Sequence, residues 1–464
     1  MRLTLRWMAD VLDVPFAGEV SETVISGICI DSRRVRPGEL FVCLPGTRTD
    51  GHDHAPLAVE NGAAAVLATK ELPGIADRVP VLVVSDGVAA LGELARAWRK
   101  MFRGKVIGVT GTAGKTTVKE LLSQVCSLAG PTCKNQMNWN NQIGLPMSIL
   151  SCSGQAEYWV LEAGISRPGD MDELGLILQP DMALLINAGA AHLAELGCVE
   201  QVAKAKARLT NYLRPGGIAL TNRDCPDLWR ESLTYGRQVH GFSVQDSGAD
   251  FYSGGQTCTP SGDVHMELRL QGRNMELTWT AGQAPVAENV LAVAAAATLL
   301  GIDSESIQHG LTTPMNLQGR FAVQRHGNWT IIDDTYNANP LSMALALDRA
   351  RRLAGEGHLV CVLGDMLELG EVASDEHRKL GRLLAEKGCS VVFYHGRHFP
   401  DVSSGLEECS WQGRLVPADS PAEFLDQWRQ WVTLICGAGV VLFKGSRASG
   451  METYYDVLRT ELDA

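Results

Sequence analysis

Gly108-Val-Thr-Gly-Thr-Ala-Gly-Lys-Thr-Thr117 follows the apolar Lys105-Val-Ile107 and precedes the helical pattern Val118-Lys-Glu-Leu-Leu-Ser-Gln-Val-Cys126. A glycine-rich turn between a strand and a helix restricts the fold more than any other stretch of this chain. Its backbone N–H groups can converge on an anion, and the helix behind it adds the positive end of its dipole. Lys115 is placed to reach β- and γ-phosphates and the Thr116 hydroxyl to take a Mg²⁺ position. The segment therefore predicts a phosphate-binding loop made of Gly111, Thr112, Ala113, Gly114, Lys115, Thr116 and Thr117.

Such a loop belongs in an α/β fold, and the rest of the chain agrees. Apolar strand patterns at Val106–Val109, Tyr158–Leu161 and Met182–Ile186 alternate with helical stretches, which predicts a mainly parallel sheet with helices on both faces. At 464 residues the chain exceeds one ordinary core, so two or three domains are expected. Texture divides it at about residues 1–84, 85–315 and 316–464. The first part mixes short strands (Val24–Ile30, Leu40–Leu44, Ala64–Leu67, Val81–Val84) with a helix at Ala55–Asn61. The second opens with a helix at Val88–Phe102, has strand-like alternation over Phe251–Thr280 that suggests antiparallel pairing, and an Ala-rich helix at Asn289–Leu300. The third carries strand patterns at Thr330–Asp333, Leu359–Leu363, Val391–Tyr394 and Val440–Phe443.

Charge and cysteine usage exclude some classes. The balance of 41 basic against 53 acidic residues argues against a general nucleic-acid binder. The twelve cysteines include no Cys-x-x-Cys pair, which suits a reduced compartment. Arg6 and Asp10 interrupt the place where a signal peptide needs an apolar run, and the run Val290–Leu300 falls short of the ~20 residues that cross a bilayer. A cytoplasmic protein without stable membrane insertion is expected.

Glu162 ends the apolar strand Tyr158-Trp-Val-Leu-Glu162, and ligands sit at strand C-termini in open α/β sheets, so its carboxylate is a Mg²⁺ candidate. Leu185-Ile-Asn-Ala-Gly-Ala-Ala-His-Leu193 is a second strand running out to a histidine, His192. The loop spacing Thr110-Gly111-x-x-Gly114-Lys115-Thr116-Thr117, shorter than the common Walker pattern, resembles the Mur ligase and folylpolyglutamate synthetase superfamily. That resemblance implies amide-bond formation at the expense of ATP, with His192 on a second Mg²⁺ ion. Within Val202-Ala-Lys-Ala-Lys-Ala-Arg-Leu209, it also implies a lysine carbamylated by CO₂. Lys206 suits the interval from His192 and Lys204 competes. Two departures from the family pattern stand out, Arg208 after this lysine and Pro285 where a histidine precedes the adenine-side Asn289.

The resemblance extends over essentially the whole chain. Asp31-Ser-Arg-Arg-Val-Arg-Pro-Gly-Glu-Leu-Phe-Val42 and Gly51-His-Asp-His54 are similar to the family's amino-terminal UDP-binding domain, with Ser32 and Arg33 on the UDP-sugar. Asn138-Trp-Asn-Asn-Gln-Ile-Gly-Leu-Pro146 is similar to the segment that contacts the substrate peptide, through Asn138, Asn140 and Asn141. By the same likeness Arg320 contacts ATP phosphates and Asp334 the ribose. Asp333-Asp-Thr-Tyr-Asn-Ala-Asn-Pro-Leu-Ser-Met343, Gly364-Asp-Met-Leu-Glu-Leu-Gly370 with His377, and Lys444-Gly-Ser-Arg447 resemble the branch that adds D-alanyl-D-alanine to a UDP-N-acetylmuramoyl-tripeptide. There Asn337, Asn339, Lys444, Ser446 and Arg447 are expected on substrate. The Asp-Asn-Pro-Arg that reads diaminopimelate in another branch is absent. The implied architecture has three domains, a central P-loop sheet flanked by a small UDP-binding α/β domain and a Rossmann-like α/β domain. A monomer using ATP and two Mg²⁺ ions is expected. An amide ligase acting on folate or cyanophycin, or a non-catalytic nucleotide-binding paralogue, are the rival readings.

Overall fold

The computed structural model describes residues 3–15, 22–46, 49–136, 138–259, 263–280, 282–432 and 438–463. Three main sheets organise the chain. The first has four parallel strands in sequence order, Gly27–Cys29, Glu39–Val42, Ala65–Ala68 and Val81–Val83. The expected strand over Val24–Ile30 is broken in two: Val24–Ile25 pairs with Leu3–Thr4, and Gly27–Cys29 joins the parallel sheet. Ser26 marks the crossing, with its N–H given to Gly38 rather than to either ladder.

The second sheet has ten strands, with Lys105–Thr110 flanked by Tyr158–Glu162 and Met182–Leu185, all parallel. These strands are almost wholly buried, which is why they read as unbroken apolar runs. Towards its far side the sheet turns antiparallel. Val264–Leu270 and Arg273–Trp279 form a ribbon whose residues alternate between buried and solvent-facing. Residues 260–262 of the expected antiparallel stretch lie outside the described residues. The third sheet has six strands in the order Ala322–His326, Trp329–Asp334, Gly439–Lys444, His358–Gly364, Val391–His395, Arg414–Pro417, parallel except for the first.

Helix ends follow local chemistry. Asp86 caps Gly87–Met101 by accepting from Val88 and Ala89 N–H. Asn339 and Ser342 form a reciprocal capping box at the start of Pro340–Ala354. Helix Ala287–Leu299 shows no polar face because it lies inside the central core.

The cores do not divide evenly. One apolar cluster runs from Leu40, Val42 and Leu67 of the first sheet through Leu91 and Leu94 of helix Gly87–Met101 to Trp159 and Leu161 of the second. The amino-terminal unit is thus packed onto the central one. The carboxy-terminal sheet has its own cores on both faces. Every cysteine among the described residues is free. Among the described residues no helix is long and apolar enough to cross a membrane.

A polar hub ties the carboxy-terminal strand ends together. Asp365 accepts from Tyr394 Oη (2.8 Å) and from the Arg397 N–H (3.1 Å), while His377 Nε2 accepts the Met366 N–H at 3.0 Å. His377 Nδ1 lies 2.7 Å from the Ala373 carbonyl, so the ring is neutral with its proton on Nδ1. It stacks on His398 at 4.1 Å between centroids. Burial holds the His377 imidazole below its ordinary pKa of 6.5, with His398 adding to this and the Ala373 carbonyl, Asp365 and Asp401 opposing it. A histidine shifted down contributes stability above its unfolded pKa and loses it as pH falls through the folded value. Denaturant unfolding below about pH 6.5 should show His377→Gln with a flatter pH dependence than wild type, by up to about 1.4 kcal/mol per pH unit. Parallel curves for the two proteins would remove His377 from the account.

Candidate active site

Strand register assembles the first half of the site. Val109 pairs with Glu162, and Thr110 pairs with Leu185, so three strands end side by side under the glycine-rich turn. Asn135 pins the Glu162 backbone from both sides, accepting its N–H at 2.8 Å and donating to its carbonyl at 2.9 Å. The Glu162 carboxylate then accepts from Thr116 Oγ1 at 3.0 Å and from Asn140 Nδ2 at 2.7 Å.

The turn itself is held by Asn187, whose Oδ1 accepts the Thr112 and Ala113 N–H groups at 2.9 Å each. Gly114 has φ of +79°, and a Cβ there would lie 2.6 Å from Asn289 Oδ1, so only glycine lets Asn289 pack this close. Lys115 Nζ donates to the Gly111 carbonyl at 2.8 Å, and Lys206 Nζ donates to the same oxygen at 3.0 Å. Lys206 is 2% exposed. Burial, then the neighbouring Lys115 charge, pushes the Lys206 ammonium well below its usual range, with Glu162 opposing. Lys115 is lowered too, by burial and by Arg320, again against Glu162. Two crowded cations with a single nearby carboxylate make a site that favours added anion.

The other wall comes from the carboxy-terminal unit. Arg320 Nη2 donates to Thr116 Oγ1 at 3.2 Å, and its guanidinium lies 3.8 Å over the Tyr336 ring. Asp334 accepts from the Phe321 N–H at 3.1 Å and from Lys444 Nζ at 2.7 Å; Lys444 also donates to the Asn337 carbonyl at 2.9 Å. Asn339 Nδ2 lies 3.4 Å from the Thr112 carbonyl, and Glu368 lies against His192. These walls enclose a cavity of about 700 Å³ lined by both units.

The structure brings most expected residues to this cavity. Thr112, Ala113, Gly114, Lys115, Thr116, Thr117, Glu162, His192 and Asn289 line it from one side, Arg320, Asp334, Asn337, Asn339 and Lys444 from the other. Asn138, Asn140 and Asn141 line its edge. Asn141 spends its Oδ1 on the Ile143 and Gly144 N–H groups at the start of helix Gly144–Ser151, and Asn140 spends its amide on Glu162. Gly111 and Lys206 lie behind the lining, joined to it by the bonds above.

Four expected residues stand elsewhere. Ser32 is buried, Arg33 is exposed and bonded to Asp31, Ser446 bonds the Leu367 N–H, and Arg447 pairs with Glu452 at 3.2 Å. Arg208 is engaged by Asp172, with Nη2 to Oδ1 at 2.6 Å. Pro285 lines the cavity beside Ala284, whose carbonyl accepts from Arg349 Nη2 at 2.9 Å.

Several residues that matter here went unread in the sequence. Asn187 follows the apolar Met182–Leu185 and Asn135 the short, half-exposed strand Thr132–Lys134, places where an asparagine looks like a turn residue. Tyr336 and Glu368 sit inside quoted motifs without an assigned task. Arg349 carries no local signal; its guanidinium lies 3.7 Å over the Phe321 ring of its own unit and donates to the Ala284 carbonyl of the central one.

The donor set fits Mg²⁺. Among the described residues no three His, Cys, Asp or Glu side chains cluster as a self-sufficient metal site. The Thr116 hydroxyl, the Glu162 carboxylate and the His192 imidazole on one cavity suit an ion that keeps waters and takes phosphate oxygens for its remaining positions.

A P-loop whose cavity is completed by an arginine and an aspartate from a second α/β unit defines a nucleotide-dependent enzyme with a site shared between two units. Family models match in order along the chain: the Mur ligase family catalytic domain over residues 24–99, the Mur ligase middle domain over 109–297 and the Mur ligase glutamate ligase domain over 319–447. The chain is 30% identical over 463 residues to UDP-N-acetylmuramoyl-tripeptide–D-alanyl-D-alanine ligase of Bacillus subtilis (strain 168), covering 97% of each. It is 32% identical over 465 residues to the ligase of that name from Escherichia coli (strain K12), with the same coverage. Among solved structures it is similar to MurF from Acinetobacter baumannii, with a TM-score of 0.89, 29% identity and 99% of both chains covered. It is also similar to MurF ligase from Thermotoga maritima in complex with ADP, with a TM-score of 0.82, 31% identity and 94% of this chain and 98% of that one covered. The chain belongs to the Mur ligase family.

Proposed function

We propose that this protein is an ATP-dependent ligase that joins D-alanyl-D-alanine to UDP-N-acetylmuramoyl-tripeptide, giving the pentapeptide, ADP and phosphate in peptidoglycan precursor synthesis. The observation that carries the reading is the shared cavity, lined by Lys115 and Thr116 of the P-loop and by Arg320 of the carboxy-terminal unit, with Arg320 Nη2 3.2 Å from Thr116 Oγ1. Similarity over nearly the whole chain to ligases of this name supports the substrate pair.

A terminal carboxylate oxygen of the tripeptide attacks the γ-phosphorus, the bond to ADP breaks, and an acyl phosphate forms. The dipeptide amine then attacks the acyl carbon, losing its proton as phosphate leaves. The chain's own task is positioning and charge neutralisation. Gly111 to Thr117 cradle the phosphates, Lys115 and Arg320 neutralise the transferring group, Asn289 faces adenine and Asp334 the ribose. Thr116 and Glu162 would hold one Mg²⁺ ion, and His192 with Lys206 in its carbamate form the other. The metal supplies charge neutralisation and alignment of phosphate oxygens. Burial and the Lys115 charge lower the Lys206 pKa, which favours the deprotonated amine that CO₂ requires; N–C bond formation with loss of a proton turns that amine into an anionic carbamate. Residues 1–84 bind the UDP-sugar through Ser32 and Arg33, residues 85–315 hold ATP, and residues 316–464 close on ATP and bind the dipeptide. Asn138, Asn140 and Asn141 meet the tripeptide, the latter two by exchanging bonds they now make within the chain. Asn337, Asn339, Lys444, Ser446 and Arg447 shape the dipeptide side. The setting is cytoplasmic, where ATP and UDP-sugars are made, and the unit of action is a monomer.

The test is ADP release with Mg²⁺, D-alanyl-D-alanine and UDP-N-acetylmuramoyl-tripeptide carrying either L-lysine or meso-diaminopimelate, with the product weighed by mass spectrometry. Pentapeptide that requires both substrates is expected. Tripeptide binding without product from either form would overturn the reading.

A further inference from the structure

Glu368 belongs to the loop after strand His358–Gly364, in the carboxy-terminal unit, yet its Oε2 lies 2.5 Å from Nδ1 of His192 in the central unit. The backbones of the two segments meet as well. The Ala194 N–H donates to the Glu368 carbonyl at 3.3 Å, and a Cβ on Gly370 would come within 3.1 Å of Ala194 Cα. Both partners hold a rare backbone: His192 has φ of 55° and Glu368 of 63°. Left-handed non-glycine residues persist only where their surroundings enforce them, and here two face each other across a unit boundary. Of the cavity's other carboxylates, Glu162 is engaged by Thr116 and Asn140, and Asp334 by Lys444 and the Phe321 N–H.

A metal-binding imidazole commonly gives its second nitrogen to a carboxylate, which fixes the tautomer, sets the ring plane and makes the free nitrogen more basic. We propose that Glu368 is the positioning residue of His192, delivered from the other unit, so that the imidazole is held ready for a divalent cation only when the carboxy-terminal unit is docked. Nδ1 is in ion-pair contact with Glu368, though not aligned with it as a hydrogen bond, and Nε2 is the nitrogen left for the cation. Glu368 acts through His192 and is not itself counted as a ligand. Cation binding and docking then favour one another by the same factor, since a coupling between two equilibria is reciprocal. This rests on the reading of His192 as a cation ligand given above.

Mn²⁺ is the probe, titrated into the full-length protein with saturating ADP and followed by electron paramagnetic resonance, with no turnover required. Glu368→Gln keeps size and removes charge; it should weaken the His192-dependent Mn²⁺ site by about 10- to 100-fold, leave metal-free ADP affinity within about two-fold, and be partly rescued by Glu368→Asp. Glu371→Gln, on the same loop and exposed, should bind Mn²⁺ as wild type does. Unchanged Mn²⁺ binding in Glu368→Gln overturns the proposal, and so does a His192→Ala protein that binds Mn²⁺ normally. Loss of metal-free ADP affinity together with Mn²⁺ binding in both Glu368 variants overturns it in favour of a purely structural contact. Because wild-type ligation is assayed separately, a protein that makes no pentapeptide but shows the Mn²⁺ defect sinks the ligase reading alone.

Discussion

Lys115→Ala lowers the rate of ADP formation by about 10³-fold or more while the protein stays folded, because its ammonium is a preorganised charge aimed at a transferring phosphoryl group. That ammonium donates to main-chain carbonyls of its own loop, Gly111 and Thr112. Its pKa is lowered by burial, so at neutral pH the folded chain bears a cost for keeping it charged. Truncation therefore removes a functional charge without removing a structural support. The checks are a thermal melt, in which the midpoint of Lys115→Ala equals or exceeds that of wild type, and the ligation assay. Retained ligation would refute the phosphate role; a large drop in the midpoint would show that Lys115 holds the loop together.

Activity should also depend on dissolved CO₂. Lys206 Nζ is buried beside Lys115, and that placement lowers its pKa well below that of a free lysine. A neutral amine is the species that captures CO₂, and conversion to a carbamate replaces a cation crowded against Lys115 with an anion attracted to it. Enzyme held in CO₂-free buffer is expected to lose activity and to regain it when bicarbonate is added. Lys206→Met should be slower by about 10²–10³-fold, comparable to removal of one preorganised electrostatic group, and indifferent to bicarbonate. A carbamate carbon seen by NMR with isotopically labelled bicarbonate, present in wild type and absent in Lys206→Met, would identify the group directly. Full wild-type activity in CO₂-free buffer would sink the carbamate.

The parts of this site that could be read in advance are those whose signal is local. The P-loop announces itself because glycines, lysine and threonine must be consecutive, and Glu162 because it ends an apolar strand. Central strands such as Val391–His395 are buried and read as apolar runs. Edge strands Ala322–His326 and Arg414–Pro417 were missed because they pair on one side and mix polar with apolar residues. The break at Ser26 depends on a partner strand at Leu3–Thr4, distant in sequence. Asn187, Arg349 and Glu368 each have a partner distant in sequence, Thr112, Ala284 and His192, and no window along the chain contains both ends. Likeness to a family supplied His192 and Lys206; by themselves they were a loop histidine and one of two helix lysines.

The pairing of Val109 with Glu162 and of Thr110 with Leu185 gives the central sheet two unlike rims. At the rim bearing the P-loop, length is a fixed quantity. One residue gained or lost within Tyr158–Glu162 would turn every side chain to the opposite face and carry the Glu162 carboxylate away from Thr116. At the opposite rim the connection entering Ile218–Asn222, the strand beside Met182–Leu185, turns at Gly216, where φ is +77° and no atom lies within 4 Å of the place a Cβ would take. Insertions, tags and labels belong there: the molecule can lengthen on one rim of the sheet without its chemistry sensing the change on the other.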